Sequence, residues 1–253
     1  MIEVKSPREI ESMDAANRLV LHVLEELEEM IEPGVTTADL DRYAEKRILT
    51  DGARPAFKGY RGYPSTLCAS INDEVVHGIP SPRRVLRQGD IVGMDLGAVV
   101  DGYFGDAAVT VAVGEIAPEV QRLLEVTEEA LRRAIAAARP GKRVSDIGHA
   151  VQSFVEEQGF AVVRDFVGHG IGRQLHEDPQ VPNFGEPGRG ERLRAGMVLA
   201  LEPMVTAGDW RVRMRSDRWT AVTVDGSLSA HFERSVAITE DQPRILGLNG
   251  AKK

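Results

Sequence analysis

Cysteine is almost absent from this sequence, which holds one, Cys68, among 253 residues. A single thiol cannot close an internal disulfide or build a cysteine-rich zinc site, and its scarcity fits a reducing compartment. Long hydrophobic runs are missing as well. No stretch approaches the roughly 20 apolar residues that span a bilayer, and the opening Met1-Ile2-Glu3-Val4-Lys5-Ser6-Pro7 carries no hydrophobic secretion segment. Positive charge is in deficit, with 31 Lys and Arg against 39 Asp and Glu. The resulting net charge of −8 removes any sequence-wide electrostatic case for nucleic-acid binding. No linker-like or low-complexity stretch divides the chain. What remains is 42% apolar and 28% charged, an ordinary soluble globular profile. The expectation is a cytoplasmic protein with no membrane partner and no nucleic-acid substrate.

The chain repeats itself. Glu32-Pro33-Gly34 followed by Asp39-Leu40 is echoed by Arg139-Pro140-Gly141 followed by Asp146-Ile147, at an offset of 107 residues. The same offset aligns Gly52 with Gly159, and the run ending Gly93-Met94-Asp95 with the run ending Ala200-Leu201-Glu202. Each half thus ends a buried apolar run on a carboxylate at the same place. Both halves carry the same order of elements, which suggests one pseudo-symmetric domain over 1–253, with halves of about 6–113 and 117–238.

Local signals agree. Ser6-Pro7-Arg8-Glu9 is a capping box with proline at the first helical position. It predicts a helix running toward Met30, followed by a second from Thr37 to Thr50 that stops at Gly52. The repeat predicts helices from Pro118 to Ala138 and from Ser145 to Gln158. Strand-like stretches cover 66–71, 91–99, 103–113, 161–167, 197–206, 210–215, 219–224 and 228–238. Two helices followed by strands, twice over, predict an α+β fold in which helices cover one face of a curved, mainly antiparallel sheet.

The acids and histidines stand out against this frame. Asp101-Gly102 is a two-residue hairpin signal. With those two residues in the turn, Val100 pairs with Tyr103 and Asp106 falls opposite Gly97. Side chains alternate along a strand, so Asp95 and Asp106 become diagonal neighbours roughly 7 Å apart. Two unpaired carboxylates there repel and raise a pKa, a cost that a bridging cation removes. A solvated surface hairpin is the plain alternative. Gly168-His169-Gly170-Ile171-Gly172 could mimic a dinucleotide loop, but that needs a helix to start there, and the following His176-Glu177-Asp178-Pro179 is poor helix. The glycines instead let the backbone bend so that His169 points into a site. Glu202 and Glu233 sit beside apolar strand residues, and buried acids are rare unless paired or metal-bound. Arg234 adjoins Glu233, yet strand neighbours face opposite ways. Four acids and one imidazole suit borderline-to-hard divalent ions. Four carboxylates are too many for one small ion but fit two that share bridging ligands.

These motifs together resemble the type I methionine aminopeptidases, of the pita-bread fold, along nearly the whole chain. The resemblance is carried by Gly59-Tyr60-Arg61-Gly62-Tyr63-Pro64, Val76-His77-Gly78-Ile79-Pro80, the Asp95/Asp106 hairpin, Gly168-His169-Gly170-Ile171-Gly172 with His176, Glu202-Pro203-Met204, and Ser229-Ala230-His231-Phe232-Glu233. It implies a pair of divalent ions, cobalt, manganese, iron(II) or zinc. Asp106 and Glu233 would bridge both ions, Asp95 would hold one, and His169 and Glu202 the other. His77 and His176 resemble the family's two non-ligand histidines, which contact substrate. Tyr60, Tyr63, Cys68, Phe166 and Trp219 match positions lining the methionine pocket, an apolar setting that suits a thioether. Glu202 would move the proton. The implied reaction removes the initiator methionine from nascent polypeptide N-termini with a small second residue, in a monomeric enzyme. Arg234-Ser235, Phe57 and Leu175 depart from the most familiar bacterial pattern and touch pocket shape rather than the ligands. Only 33 residues separate His169 from Glu202, too few for the helical insertion of type II enzymes. With no N-terminal Cys/His zinc extension, the minimal bacterial form is expected. The competing readings are a Xaa-Pro peptidase of the prolidase branch, a non-enzymatic paralogue, and a nucleic-acid or ribosome-surface contact through Trp210-Arg211-Val212-Arg213-Met214-Arg215, whose arginines more simply form a solvated face.

Overall fold

Each of the four helices starts on a signal written in the sequence. In the computed structural model, which describes residues 2–248, helix α1 (Pro7–Glu29) is capped by Ser6, and Glu9 returns a carboxylate to the Ser6 N–H at 2.9 Å. Helix α2 (Thr37–Thr50) follows Thr36, whose N–H donates to Asp39 at 3.0 Å. Helix α3 (Pro118–Ala137) also opens on proline. Helix α4 (Val144–Glu157) has Asp146 accepting from the Arg143 N–H at 2.7 Å. The 107-residue offset recurs in the backbone: isolated bridges join Thr36 to Val85 and Arg143 to Arg192.

The first half contributes strands β1 (Arg54–Pro55), β2 (Leu67–Ile71), β3 (Glu74–Val76), β4 (Ile91–Val100) and β5 (Tyr103–Ala112). The second contributes β6 (Ala161–Val162), β7 (Gly168–Gly170), β8 (Glu177–Val181), β9 (Val198–Leu201), β10 (Met204–Thr206), β11 (Val212–Met214), β12 (Ala221–Thr223), β13 (Ser229–His231), β14 (Glu233–Ala237) and β15 (Arg244–Ile245). The main sheet runs β1-β4-β5-β14-β9-β7-β8, with β2 also on β4 and β15 also on β14. Two small sheets, β13-β10-β6 and β11-β12-β3, flank it. The pairings are antiparallel. The expected α+β fold is what the chain adopts, and among the described residues no helix is long and apolar enough to cross a membrane.

Alternation along the strands decides what the two faces of the sheet carry. Met94, Leu96 and Ala98 of β4, with Ala107 and Val109 of β5, pack under α1 and α2. Leu199 and Leu201 of β9, with Val236 of β14, pack under α3 and α4. The intervening residues therefore face away from the helices: Asp95 and Gly97, Asp106 and Ala108, Ala200, Glu233 and Ser235. The hairpin register is as expected, with Val100 opposite Tyr103 and Gly97 opposite Asp106.

Several expected strands are shorter or broken. The stretch 197–206 divides at Glu202-Pro203, and 228–238 divides at Phe232. The two segments cross together from the main sheet into a small one. Leu201 pairs with Arg234 before the break and Met204 with His231 after it. Proline has no N–H for the ladder, and the Pro203 carbonyl instead accepts from the Phe232 N–H at 3.3 Å. The stretch 161–167 keeps only Ala161–Val162 as strand, because after Val163 bonds to Met204 the chain bends away. Strands β1, β3, β7, β8 and β15 fall where no strand was expected.

Helix α1 lies against β4 and β5, and one glycine permits the contact. A Cβ at Gly105 would fall 2.7 Å from the backbone of Ala16 and Asn17. Backbone cannot swing aside as a side chain can, so Gly105→Ala must push the helix off the strand. The expected loss is about 1–3 kcal/mol, read as a lower urea midpoint. Unchanged stability would show that α1 yields without cost.

Candidate metal centre

Five neighbouring strands each bring one ligand-type residue to the helix-free face. Asp95 comes from β4, Asp106 from β5, Glu233 from β14, Glu202 from the residue after β9, and His169 from β7. Cross-strand partners share a face, so the register sets a row: Cys68 opposes Asp95, Asp95 opposes Ala108, and Ala108 opposes Glu233. Ala108 is a fully buried spacer between two carboxylates. Ala200 stands likewise opposite His169. A larger side chain at either point would fill the space between the acids.

The side chains converge. Ligand atoms of Asp106, His169 and Glu233 lie within 4.8 Å of one another. His169 Nε2 is 3.9 Å from Asp106 Oδ2 and 3.5 Å from Glu202 Oε1. Asp95 Oδ1, Asp106 Oδ1 and Glu233 Oε1 are buried with no hydrogen-bond partner among the described residues. Orphaned carboxylate oxygens are costly in a protein interior. Burial pushes the Asp95 carboxyl up to about 7. Burial first, and then repulsion from the neighbouring acids, pushes Asp106, Glu202 and Glu233 well above the usual carboxylate range. Burial, with His176 nearby, lowers His169 to about 3, so its imidazole is neutral. Its Nδ1 faces the Gly170 carbonyl at 2.9 Å. That contact places the proton on Nδ1 and leaves the Nε2 lone pair aimed at the acids, the tautomer a metal-ligating histidine needs. Orphaned oxygens and a free imidazole lone pair fit divalent cations.

The backbone under these residues is tied down. The Asp106 N–H donates to Asn17 Oδ1 at 3.2 Å, and Ser235 Oγ donates to the Asp106 carbonyl at 3.0 Å. Asn183 Nδ2 donates to the Glu202 carbonyl at 2.9 Å. Arg234 makes no ion pair with Glu233 among the described residues. Its guanidinium lies on the helix face and donates to the carbonyls of Glu233 at 2.7 Å and Ala108 at 3.1 Å. Asn17 and Asn183 were not singled out from the sequence, and nothing in their local pattern marks them; Ser235 was noted only as a departure from the familiar pattern.

Beside the acids is a cavity of about 160 Å³. Tyr63 and Cys68 are buried in its wall, Trp219 closes a side, and Tyr60 and His176 stand at the rim. The Tyr60 ring stacks on His176 at 5.3 Å, and its hydroxyl lies 2.9 Å from His176 Nδ1. Phe57 and Leu175 also line the cavity. Gly97 makes room for Phe57, whose ring a Cβ there would meet at 2.7 Å. Phe166 is not among the lining residues; its ring meets His77 edge-on at 5.4 Å. His77 has a left-handed φ of 61°, a costly conformation that clusters at functional sites. Burial and His176 lower it to about 4. Past Arg61, His169 and His176 the cavity meets an open trench of about 510 Å³.

Comparison with known proteins decides the family. A model of metallopeptidase family M24 matches residues 11–240. The chain is 53% identical over 248 residues to a methionine aminopeptidase of Clostridium acetobutylicum, covering 98% of this chain and 99% of that one. The chain belongs to metallopeptidase family M24. The solved methionine aminopeptidase of Thermotoga maritima superposes with a TM-score of 0.97 at 50% identity, covering 98% of this chain and 100% of that one. The prolidase of Pyrococcus furiosus shares the fold at a TM-score of 0.78 and 24% identity, and the chain covers 66% of its length.

For this M24 peptidase the raised acids carry a consequence for stability. A carboxyl whose folded pKa lies above its unfolded value holds its proton more tightly when folded, so stability falls as pH rises through that window. For Asp95 the window runs from its ordinary 3.8 to about 7. In chelator-stripped protein, Asp95→Asn should raise Tm at pH 8 by several degrees, at roughly 2–4 °C per kcal/mol for a domain of this size. The gain should vanish near pH 4, where Asp95 is protonated anyway. Equal melting curves at pH 8 would show that Asp95 feels no such burial.

Proposed function

We propose that the chain is a methionyl aminopeptidase that removes the initiator methionine from polypeptides with a small second residue. The observation that carries this reading is one small cavity lined both by the ligand cluster and by Tyr63, Cys68, Leu175 and Trp219. A cavity of roughly 150 Å³ holds one benzene-sized group, so a space of 160 Å³ that bound cations would share takes no more than one side chain. Cys68, whose thiol burial holds well above its usual pKa, acts there as a soft apolar wall. The trench beyond His176 takes the rest of the peptide. An extended substrate lying this way presents its first peptide bond to the acids. The names of the relatives support the same substrate, and the modest prolidase likeness supports the fold alone.

In this reading Asp95, Asp106, His169, Glu202 and Glu233 would hold two divalent ions, with Asp106 and Glu233 shared between them, Asp95 serving one and His169 and Glu202 the other; cobalt, manganese, iron(II) and zinc would all suit the donor set. Divalent ions held there would supply Lewis-acid polarisation of the scissile carbonyl and a water acidic enough to attack near neutral pH. Glu202 takes the water's proton and delivers it to the leaving amine. His77 and His176, both of which line the cavity, would donate to the substrate carbonyl as it gains charge. Tyr60, Tyr63, Cys68 and Trp219 hold the methionine side chain, and Phe166 seats His77. The two halves work as one catalytic domain, since the ligands come from both. The enzyme acts as a cytoplasmic monomer on nascent chains.

Chelator-stripped protein resupplied with Mn(II) or Co(II) should release methionine from a Met-Ala peptide and leave an Ala-Pro peptide intact. Cleavage of the Ala-Pro peptide alone would move the chain to the prolidase branch. His77→Ala should keep its metal by calorimetry while kcat falls about 10²–10³-fold, the usual cost of one lost donor to a developing oxyanion. Loss of metal in that variant would instead make His77 a ligand.

A further inference from the structure

His231 is a buried histidine to which neither the motifs nor the proposed mechanism gives a role. It is 4% exposed and ends β13, one residue before the chain crosses into the main sheet. Its backbone is clamped from both sides by one hydroxyl. The His231 N–H donates to Thr110 Oγ1 at 2.9 Å, and Thr110 Oγ1 donates back to the His231 carbonyl at 2.8 Å. The backbone that carries the ring is thus held, yet Nε2 has no hydrogen-bond partner among the described residues. Buried and unpartnered ring nitrogens are rare.

What Nε2 faces explains it. Glu202 Oε2 is 3.9 Å away and Glu233 Oε2 is 4.0 Å away. The other oxygen of Glu202, Oε1, faces His169 Nε2 at 3.5 Å. Glu202 therefore stands between two imidazoles, one per oxygen.

We propose that His231 is a positioning residue, whose Nε2–H holds the Oε2 atoms of Glu202 and Glu233 and so presents their Oε1 atoms to bound cations. The proposal rests on the ligand roles given above. At 3.9 and 4.0 Å neither contact is yet a hydrogen bond. With the repulsion among the acids relieved by cations, a closure of about 1 Å reaches hydrogen-bond length. A neutral imidazole suits this task. It supplies a donor without a positive charge that would compete with the cations. Partners that orient metal ligands in this way are commonly worth 10–100-fold in affinity or activity.

Two variants test it, His231→Leu, which removes the donor, and His231→Gln, which keeps an N–H donor at similar reach. Calorimetry with Mn(II) on chelator-stripped protein should show His231→Leu binding about tenfold or more weakly with unchanged stoichiometry. With a Met-Ala peptide its kcat should fall while KM stays within about twofold, because the cavity is untouched. His231→Gln should recover most of both losses. Wild-type Mn(II) binding and kcat in His231→Leu would overturn the proposal. So would the loss of one equivalent of Mn(II), which would make His231 a ligand, or a glutamine variant no better than the leucine one, which would make the role packing alone. Thermal melts of the metal-free proteins check folding, and if His231→Leu does not fold, the shorter His231→Asn serves as the loss variant. Failure of the wild type to cleave the Met-Ala peptide would sink the assigned function, while Mn(II) binding would still decide the role of His231.

Discussion

Repulsion among four carboxyl groups is the constraint on which the rest of the structure depends. Strand order brings Asp95, Asp106, Glu233 and Glu202 together on one face, and burial leaves three of their oxygens without partners. Such a cluster is unfavourable in a metal-free protein, because each charge is desolvated beside others of its own sign. The scaffold must therefore be stable enough elsewhere to hold it. Two apolar cores, one under each helix pair, provide that stability. Hydrogen bonds from Asn17, Ser235, Asn183 and Arg234 then fix the backbone of the ligand residues, so the acids cannot relieve strain by moving apart. Proton uptake relieves part of the cost, as the raised carboxyl pKa values show, and a cation relieves it with the acids ionised.

Much of this was legible in the sequence because local chemistry was unambiguous. Ser6-Pro7 and Thr36 started helices where they should, and Asp101-Gly102 set a hairpin register that alone predicts Asp95 and Asp106 on one face. The clustered acids stood out for a different reason: acids beside apolar runs have few purely structural explanations. What the sequence hid was structure imposed by distant partners. Gly168-His169-Gly170 and Glu177-Asp178-Pro179-Gln180-Val181 are poor strand sequences that pair because β9 offers the first an edge and the first in turn offers one to the second. Asn17 looks like any polar residue in a helix until β5 arrives beneath it, and its function lies 89 residues away at the Asp106 N–H.

The broken strands of the second half are the most informative departure. An uninterrupted strand over 197–206 would point Glu202 away from the helices but keep its neighbour at 204 on the same flat face. Pro203 ends the ladder, and the partner segment bends with it at Phe232. The bend folds β10 and β13 over the edge of the main sheet. It carries His231 alongside Glu202, although His231 and Glu233 lie in different sheets. The first half has no such break: β4 and β5 run straight for ten residues each. The asymmetry supplies the second half with an imidazole beside its acids, where the first half has Cys68 and the floor of the cavity beside Asp95.

Arg234 shows why the acids stay available. A cation one residue from Glu233 is the obvious structural partner for a buried acid, and on the same face it would neutralise the site. Strand alternation sends its guanidinium to the helix side instead. There burial lowers its pKa, and Glu28 of α1 and Glu128 of α3 are among the charges that support it. It binds the Glu233 and Ala108 carbonyls, gripping the two strands that bear Asp106 and Glu233, while its charge reaches Glu233 only as the last of the influences on that carboxyl. The small side chains on the other face complete the arrangement. Ala108 between Asp95 and Glu233, and Ala200 opposite His169, leave between the ligands the volume that a larger residue would take. A site of this kind is built as much by what is kept off its face as by the acids placed on it.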